Sequence, residues 1–278
     1  GHAYYFLVKG GEDLRNDERV QQLFMLLNNI MAQEETTLAA RVFSVIPMTS
    51  RVGVLEWVQN TAPLKSIITD EMAKVEVFLA KNPNCRSAQG AVELSRITAF
   101  EERSKWLKND SSPTAYHTMY KKASEANAMK LWKKMVDTIS DDFLRRYILR
   151  LATSPEVYLL LRSECAKSLA VSSIYGYLLG IGDRHLDNLL VDTQSGTILQ
   201  IDFGICFGMG ASVLPVPELI PFRLSNQLRG LFKPLNGSLI WRQYMISVMN
   251  ILRQECHRKR LKTSLDVYID DPIVDWLK

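Results

Sequence analysis

The sequence predicts an α+β fold in which a small sheet-plus-helix region precedes a larger, mainly helical one. Three observations lead to this prediction. Strand-like and helix-like patterns alternate over the first 58 residues, helical periodicity dominates the residues after them, and a short hairpin interrupts those helices near residue 190. With 278 residues the chain can form one large domain or two modest ones.

The first region is predicted to run strand, helix, strand, strand. Residues 3–9 are rich in aromatic and β-branched side chains and end at a Gly-Gly pair. Residues 42–46 and 54–58 predict two antiparallel strands, because a turn containing Pro47 and Gly53 separates them. The intervening helix is predicted from one apolar stripe, formed by Val20, Leu23, Phe24, Leu27, Ile30 and Met31.

The second region is predicted to be helical around one hairpin. A helix begins at Ser154-Pro155-Glu156, because Ser is a good cap and Pro suits the first helical position, and it ends at the Gly180/Gly182 pair. Residues 188–191 and 197–201 form the hairpin. The other predicted helices cover 64–72, 115–120 and 123–151 and resume near Leu224 and Leu239, with loops at 82–90 and 109–113.

Composition excludes several classes of protein. The chain is 47% hydrophobic and 23% charged, which is typical of globular proteins and rules out disordered, collagen-like and disulfide-scaffold readings. Its net charge of +4 is too small to indicate a nucleic-acid partner. The four cysteines are widely scattered, which favours reduced thiols in the cytosol or nucleus. No signal-peptide pattern is expected, and the apolar stretch 169–182 is too short to span a membrane.

Chemistry concentrates in residues 180–188 and the hairpin after them. Asp183 and Asn188 lie five apart in a loop, and Asp202 follows Asn188 by fourteen residues at the far end of the hairpin. The returning strand is expected to bring Asp202 beside Asn188, and oxygen ligands of this kind suit Mg²⁺. Asp183 is then placed to accept or orient the proton of an attacking hydroxyl.

This spacing matches the catalytic arrangement of protein kinases. Asp202-Phe203-Gly204 supplies the metal-binding tripeptide, and the Asp-to-Asn distance of five is also shared. The order Asp183-Arg184-His185 is inverted, which places His185 inside the loop as a donor to a transferring phosphoryl group. Either motif alone arises by chance or as a turn, but the two motifs joined by a hairpin favour catalysis.

A kinase also needs a cation on the phosphates and a site for adenine. Lys9 lies in the first strand, where an unpaired lysine is costly, although a snorkelling edge lysine is the alternative. Residues 55–58 offer the aromatic Trp57 and backbone groups for a purine, although Trp57 also suits an ordinary core. The acids expected to hold the lysine are Glu12, Asp13 and Asp17.

Together these motifs resemble the phosphatidylinositol-3-kinase-related protein kinases. The resemblance covers nearly the whole chain and is weakest over residues 75–131. The segments that carry it are 9–15 with Asp17, 45–47, 53–58, 182–185 with Asn188, 202–204 and 217–224. The segments closer to the DNA-dependent branch of the family than to its ATM, ATR or TOR branches are 8–15, 46–51, 153–156, 214–218 and 266–268.

The resemblance implies a two-lobed, protein-kinase-like (PI3/PI4-kinase) fold. Residues 1–57 would be part of the N-lobe, without its Gly-rich phosphate loop. Residues 58–278 would be the C-lobe with the hinge, the catalytic loop at 180–188 and the activation segment at about 200–222. The segment that closes the family's kinase domain is expected beyond Lys278.

The resemblance also implies roles at a site for ATP and Mg²⁺, with Mn²⁺ a possible substitute. Lys9 would bind the phosphates, supported by Glu12 and Asp17, while Asn188 and Asp202 would bind the metal. Asp183 would be the base and His185 the transition-state donor. The adenine pocket would be lined by Leu55, Glu56, Trp57, Val58, Leu190 and Ile201. Phe43 stands where relatives usually carry a tyrosine in the inner nucleotide pocket.

The implied activity is that of a nuclear serine/threonine kinase acting on Ser/Thr-Gln sites in double-strand-break repair by end joining. Its implied partners are the Ku heterodimer and DNA ends, bound through regions outside this chain, with no membrane partner. A phosphoinositide kinase is an alternative, but residues 205–222 lack the Lys or Arg that a headgroup needs. A catalytically dead scaffold is another, but Lys9, Asp183, Asn188 and Asp202 are all present.

Two further patterns are given ordinary interpretations. The basic run 253–262 is interpreted as a solvated helix end and loop rather than as a nucleic-acid site. The pair Cys256-His257 lacks partners at ligand spacing, so a zinc site is rejected.

Overall fold

The computed structural model describes residues 3–81, 124–126, 129–130, 133, 139–214, 218, 220–234 and 237–269. The strands within these ranges are β1 (Phe6–Gly10), β2 (Val45–Pro47), β3 (Val52–Glu56), β4 (Thr61–Pro63), β5 (Leu189–Asp192) and β6 (Ile198–Gln200). The helices are α1 (Arg15–Gln33), α2 (Leu64–Lys81), α3 (Phe143–Leu151), α4 (Pro155–Leu179), α5 (Gly210–Val213), α6 (Asn226–Leu231), α7 (Gly237–Leu252) and α8 (Glu255–Ile269). The predicted α+β class is confirmed.

The first region forms the predicted strand, helix, strand, strand. Its antiparallel sheet has the order β1-β3-β2, with Lys9 opposite Gly53 and Val45 opposite Leu55. The apolar stripe of α1 is buried as its helical spacing predicted. Its Phe24 ring lies 5.4 Å from the ring of Tyr175 in α4 and 5.6 Å from that of Phe203. A single core therefore joins α1 to the loop after β6.

The long helix α4 begins and ends where its sequence signals predicted. Ser154 caps it, since its hydroxyl accepts a hydrogen bond from the backbone N–H of Val157 at 3.3 Å. Gly180 ends it in the left-handed region at φ 57°. In the described ranges no helix combines the length and the apolarity that crossing a membrane requires.

The predicted hairpin β5–β6 is confirmed, and a third strand that the sequence did not reveal joins it. Strand β4 has three residues and pairs antiparallel with β5, giving the order β4-β5-β6. Three residues carry too little periodicity to be recognised as a strand. The sheet is tied to the first region because Arg41, ahead of β2, forms an ion pair with the buried Asp192 at the end of β5.

The single helix predicted over residues 123–151 is wrong in its continuity, because residues 139–142 form a bend and only α3 continues as helix after it. Tertiary contacts hold this bend: the Gln227 side chain donates to the carbonyl of Ser140 at 2.6 Å. Gly230 lies against the backbone of Asp141 so closely that a Cβ there would be 1.7 Å from its carbonyl oxygen. The patterns predicted at 82–90, 109–113 and 115–120 lie outside the described residues.

The basic run 253–262, interpreted as a helix end and loop, instead forms most of helix α8. This helix packs against the carboxyl end of α1 through polar contacts. His257 is buried and its Nε2 lies 2.9 Å from Glu34 Oε1, while the side chain of Gln254 donates to Glu34 at 3.2 Å. Arg260 donates to Gln33 at 2.9 Å. These tertiary contacts, absent from the local sequence pattern, stabilise the helix.

The Gly- and Pro-rich segment after Asp202 packs closely against the end of α4. A Cβ built on Gly176 would lie 2.6 Å from the carbonyl oxygen of Pro221. A Cβ on Gly180 would lie 2.4 Å from the backbone nitrogen of Gly208. Real Cβ atoms do not approach backbone this closely, so the glycines are required for the two backbones to meet.

Gly176→Ala should therefore destabilise the end of α4. Overpacking against a backbone carbonyl costs about 1–3 kcal/mol, which outweighs the roughly 1 kcal/mol of helix propensity that alanine gains over glycine. We expect a net loss of up to about 2 kcal/mol in the local unfolding free energy, measured by amide hydrogen exchange in the full-length parent protein. Tyr177→Ala, at a neighbouring exposed position, is the control. Equal protection in the Gly176 variant would contradict the packing argument.

Candidate active site

The loop from Gly180 to Asn188 connects the end of α4 to β5. Asp183 adopts a left-handed backbone conformation at φ 56°, which is uncommon for a residue with a Cβ. Its carbonyl accepts hydrogen bonds from the backbone N–H of His185 at 2.9 Å and from the Asn188 side-chain amide at 3.0 Å. Asn188 Nδ2 is therefore occupied, and its carbonyl oxygen remains as a possible ligand.

The hairpin brings the second half of the site back beside this loop. Leu189 pairs with Gln200, and the backbone N–H of Ile201 donates to the carbonyl of Asn188 at 3.1 Å. Asn188 and Asp202 therefore flank the open end of one hairpin, as their spacing predicted. Their loops border a cavity of about 400 Å³ that is lined by Glu12, Asp13, Asn16, Asp183, Asp202, Gly204 and Ile205.

Lys9 projects from β1 toward this cavity and faces two carboxylates. Its Nζ lies 2.5 Å from Glu12 Oε2 and 3.6 Å from Asp202 Oδ2. Burial lowers the pKa of the Lys9 ammonium, but Glu12, Asp202 and Asp17 outweigh it and hold that pKa above 10.5. The lysine is therefore charged and held by acids from both sides of the site.

Asp13 does not help to hold Lys9, contrary to the expectation from sequence. Its carboxylate instead pairs with the nearby Arg15, whose Nε lies 2.8 Å from Asp13 Oδ1. The Arg15 hydrogen bonds lower the pKa of Asp13. Adjacent positions in a helix start point in different directions, so an acid close in sequence need not face the same cation.

Asp17 connects helix α1 to the metal-binding tripeptide. Its side chain is 2% exposed, and Oδ1 accepts a hydrogen bond from the backbone N–H of Phe203 at 3.0 Å. Burial raises the pKa of Asp17 above 3.8, while the Phe203 bond and the Lys9 charge act in the opposite direction. The sequence placed Asp17 near Lys9 but gave no indication of its bond to Phe203.

Arg184 was passed over in the sequence, where it appeared only as part of Asp-Arg-His. It is 2% exposed and donates to three backbone carbonyls, those of Gly182 at 2.7 Å, Ile201 at 2.9 Å and Asp202. Its guanidinium carbon lies 5.4 Å from the centre of the Phe203 ring. In the sequence, Arg184 lies between two polar loop residues, and this pattern does not indicate that its side chain is buried.

His185 is half-exposed at the mouth of the site. Its Nδ1 accepts a hydrogen bond from the backbone N–H of Asp187 at 3.2 Å. In the neutral ring this bond assigns the proton to Nε2, which lies 3.8 Å from Asp183 Oδ2. The histidine can therefore donate through Nε2 beside the Asp183 carboxylate.

The six residues expected at the adenine site lie along the junction between β3 and the hairpin. Leu55 is part of the main core, while the side chain of Trp57 is 56% exposed. Glu56 Oε2 accepts a hydrogen bond from the backbone N–H of Ser44 at 2.9 Å, which turns this carboxylate toward β2. The other three of these residues are partly buried and pack against the same core: Val58, Leu190 and Ile201.

Phe43 stacks on Phe203 with the ring centres 6.5 Å apart. Its backbone N–H donates to Gln21 Oε1 at 3.1 Å, which fixes the strand leading into β2. The Phe43 ring is therefore buried in the core beside Phe203.

The oxygen donors at and behind the cavity suit a divalent cation that a phosphate ligand also binds. Asp202 lines the cavity with a half-exposed carboxylate. Asn188 is buried behind the lining, and its side-chain amide nitrogen is already bonded, so its amide oxygen is the possible ligand. Mg²⁺ prefers such oxygen ligands and usually completes its octahedron with phosphates and water. Within the described residues no cluster of three or more Asp, Glu, His or Cys side chains forms a closed metal cage.

Comparison with known proteins agrees with this geometry. The model of the family described as phosphatidylinositol 3- and 4-kinase matches residues 3–278. The chain belongs to this family. Its fold is therefore that of a PI3/PI4-kinase domain, as the motifs predicted.

Within the PI3/PI4-kinase family the chain is similar to the large protein kinases. It is 33% identical to the DNA-dependent protein kinase catalytic subunit of Dictyostelium discoideum over 99% of its length, and 34% identical to that of Mus musculus over 98%. It is 32% identical to the serine/threonine-protein kinase TOR of Oryza sativa over 99%. The chain spans 6% of the DNA-dependent relatives and 10% of TOR.

A solved structure described as the FAT and kinase domain of CtTel1 has the same fold. It superposes with a TM-score of 0.69 over 94% of this chain and 17% of that chain, at 24% identity. The similarity includes both the sheet-plus-helix region and the helical region, so the two-lobed PI3/PI4-kinase architecture is confirmed.

Asp17→Asn should remove one loss of stability that accompanies rising pH. Because the pKa of Asp17 is raised on folding, the folded state holds this proton more tightly, and the resulting stability is lost as pH rises from about 3.8 through the raised value. An amide oxygen still accepts from Phe203 but does not titrate. Between about pH 4 and pH 7 the unfolding free energy of the variant, measured by pulse proteolysis of the parent protein, should therefore increase relative to that of wild type as pH rises.

Asp70→Asn is the matched control, because Asp70 is exposed on α2. It should reproduce the wild-type pH profile. Parallel pH profiles for Asp17→Asn and wild type would contradict the prediction, because they would show that ionisation of the buried Asp17 carboxylate does not lower the unfolding free energy.

Proposed function

We propose that this chain is the catalytic domain of a serine/threonine protein kinase that transfers phosphate from Mg-ATP. The observation that carries the proposal is the acidic cavity of about 400 Å³, which has Asp183 and Asp202 in its lining and Lys9 3.6 Å from Asp202. A cavity lined by carboxylates binds a phosphate group only with cations to offset the charge, and a lysine and a divalent metal supply them.

Each side chain has a role in this proposal. The Lys9 ammonium would exchange its carboxylate partners for phosphate oxygens of ATP, and Asn188 and Asp202 would hold the metal. A bound Mg²⁺ would supply positive charge that neutralises the phosphates. The Asp183 carboxylate would accept the proton of the substrate hydroxyl while the hydroxyl oxygen bonds to the γ-phosphorus and the bond between that phosphorus and the β-phosphate oxygen breaks, releasing ADP. His185 Nε2 donates a hydrogen bond to the transferring group.

The lobe boundary at residues 57 and 58 belongs to the same proposal. This boundary lies in the connection between β3 and β4, which contains Trp57 and Val58. The adenine ring of ATP would lie at this connection, and the phosphates of ATP would reach the cavity. Val58, Leu190 and Ile201 lie partly buried beside one core, which supports a shared apolar wall for adenine.

The composition of the activation segment supports a protein substrate rather than a phosphoinositide. A phosphoinositide headgroup carries several negative charges, and residues 205–222 contain neither Lys nor Arg. A catalytically dead scaffold is disfavoured because Lys9, Asp183, Asn188 and Asp202 are all present around one site. These observations favour the protein kinase over both alternatives.

The biological role we propose is nuclear, in repair of DNA double-strand breaks by end joining. Its support is the 33–35% identity to DNA-dependent protein kinase catalytic subunits. DNA ends and the Ku heterodimer would bind to other parts of the parent protein. The chain is also 32% identical to TOR, so the similarities support the kinase activity more strongly than they support a role in DNA repair.

The two aspartates should fail in different ways in the full-length enzyme. Asp202→Ala should weaken Mg-ATP binding as well as turnover, because it removes a metal ligand. Asp183→Ala should leave Mg-ATP affinity nearly unchanged and lower the rate about 10²–10⁴-fold, or roughly 3–5.5 kcal/mol of barrier. His185→Ala should behave like Asp183→Ala, since its donor acts in the transition state.

Mg-ATP titration and single-turnover rates on the three variants provide the measurement. If Asp183→Ala abolished nucleotide binding while Asp202→Ala preserved it, the two assignments would have to be exchanged.

The parent protein should phosphorylate Ser or Thr when Gln follows. This expectation comes from the resemblance to the family, and a peptide array in which that Gln is replaced by Ala or Leu tests it. Phosphoinositide vesicles assayed in parallel separate the lipid alternative. Equal rates on Gln and Ala peptides would refute the sequence preference, and phosphate transfer to lipid alone would refute the protein-kinase proposal.

A further inference from the structure

Glu218 is an acid of the activation segment that the proposed reaction does not use. Its carboxylate reaches across to the catalytic loop, where Oε2 accepts a hydrogen bond from the backbone N–H of Asp183 at 2.7 Å. Its own backbone N–H donates to the carbonyl of Gly210 at 3.2 Å. The carboxylate also lies beside Gly182 and Gly210, where a Cβ would approach Oε2 to 3.4 Å and 3.6 Å. Both distances are ordinary van der Waals contacts, so the carboxylate packs against the two glycines.

The bond matters because of the backbone that receives it. Asp183 is held at φ 56°, in a region that few non-glycine residues occupy. Both of its backbone polar groups are bonded: the N–H to Glu218, and the carbonyl to the Asn188 side chain at 3.0 Å and the His185 N–H at 2.9 Å. The direction of the Asp183 carboxylate therefore depends on contacts from both sides.

A second bond shows that this contact belongs to a wider junction. The backbone N–H of Gly182 donates to the carbonyl of Ile205 at 2.9 Å. That bond joins the catalytic loop to the first part of the activation segment, and Glu218 joins it to the last part. The Gly182 bond involves backbone alone, so of these two bonds the Glu218 bond is the one that a side-chain substitution can remove.

We propose that Glu218 is a positioning residue that couples the activation segment to the catalytic loop by fixing the backbone of Asp183. The inference rests on the proposed function, in which Asp183 accepts the proton of the substrate hydroxyl. A hydrogen bond to a carboxylate is stronger than one to a neutral acceptor, so it can hold an unfavourable backbone conformation. When the segment leaves this arrangement, the Asp183 N–H loses its acceptor and its carboxylate is no longer fixed.

The kinetic test uses Glu218→Ala and Glu218→Gln in the full-length protein. Misplacing a catalytic group slightly costs about 10²-fold, so Glu218→Ala should lower kcat about 10–100-fold with the KM for Mg-ATP changed less than about twofold. Glu218→Gln keeps an acceptor oxygen and should recover most of the rate. The matched control is Glu255→Ala, which removes an exposed glutamate from an ion pair with Lys259 on α8 and should leave kcat unchanged.

A double variant separates positioning from general disruption. In an Asp183→Ala background, adding Glu218→Ala should lower the residual rate by less than about twofold, because Glu218 acts through Asp183. If the two losses multiply, or if the KM for Mg-ATP rises in step with the loss of kcat, Glu218 has a different role and the inference is overturned.

Hydrogen exchange at the Asp183 amide tests the same inference without catalysis. Exchange should be faster in Glu218→Ala and remain slow in Glu218→Gln and Glu255→Ala, while the amides of α4 stay protected in all three. If Glu218→Ala does not fold, Glu218→Asp replaces it, since its shorter side chain cannot reach the amide. An unchanged Asp183 amide overturns the inference, whereas failure of the wild-type protein to phosphorylate any peptide refutes the proposed function alone.

Discussion

The buried guanidinium of Arg184 is the constraint on which the site depends. It donates to carbonyls on both sides of the hairpin, that of Gly182 in the loop before it and those of Ile201 and Asp202 at the start of the segment after it. Burial lowers the pKa of Arg184, but four carboxylates oppose this effect, so the side chain keeps its charge. Those carboxylates belong to Asp202, Asp183, Glu218 and Asp17. One cation thereby sets the relative position of two loops that the chain separates by a hairpin.

The charges around this cation leave the site acidic. Four carboxylates line the cavity, and Lys9 forms ion pairs with two of them, Glu12 and Asp202. The other two belong to Asp13, which pairs with Arg15, and Asp183. Like charges gathered at an open cavity favour the entry of cations and disfavour bare anions. Under the proposed function, a polyphosphate would therefore bind together with its metal rather than alone, and Lys9 would exchange a carboxylate partner for a phosphate oxygen.

The sequence predicted those parts of the site that depend on spacing along the chain. Asn188 and Asp202 were placed together because a hairpin returns the chain to its start, and the cap at Ser154 and the stop at Gly180 follow from local chemistry. Arg184 and Glu218 were missed because their partners are backbone groups, which carry no sequence signal. Strand β4 and the bend before α3 were missed for a related reason, since pairing and tertiary contacts decide them.

The polar contacts between α8 and the carboxyl end of α1 have a mechanical consequence. Helix α1 has 19 residues and is therefore about 28 Å long. One end is fixed to α8 through Glu34, and the other end bonds to Phe203 through Asp17. A regular helix hardly compresses along its axis, so α1 is a rigid connection between α8 and Phe203. A displacement of Glu34 along the helix axis would therefore reach the backbone of Phe203 instead of being absorbed by the helix.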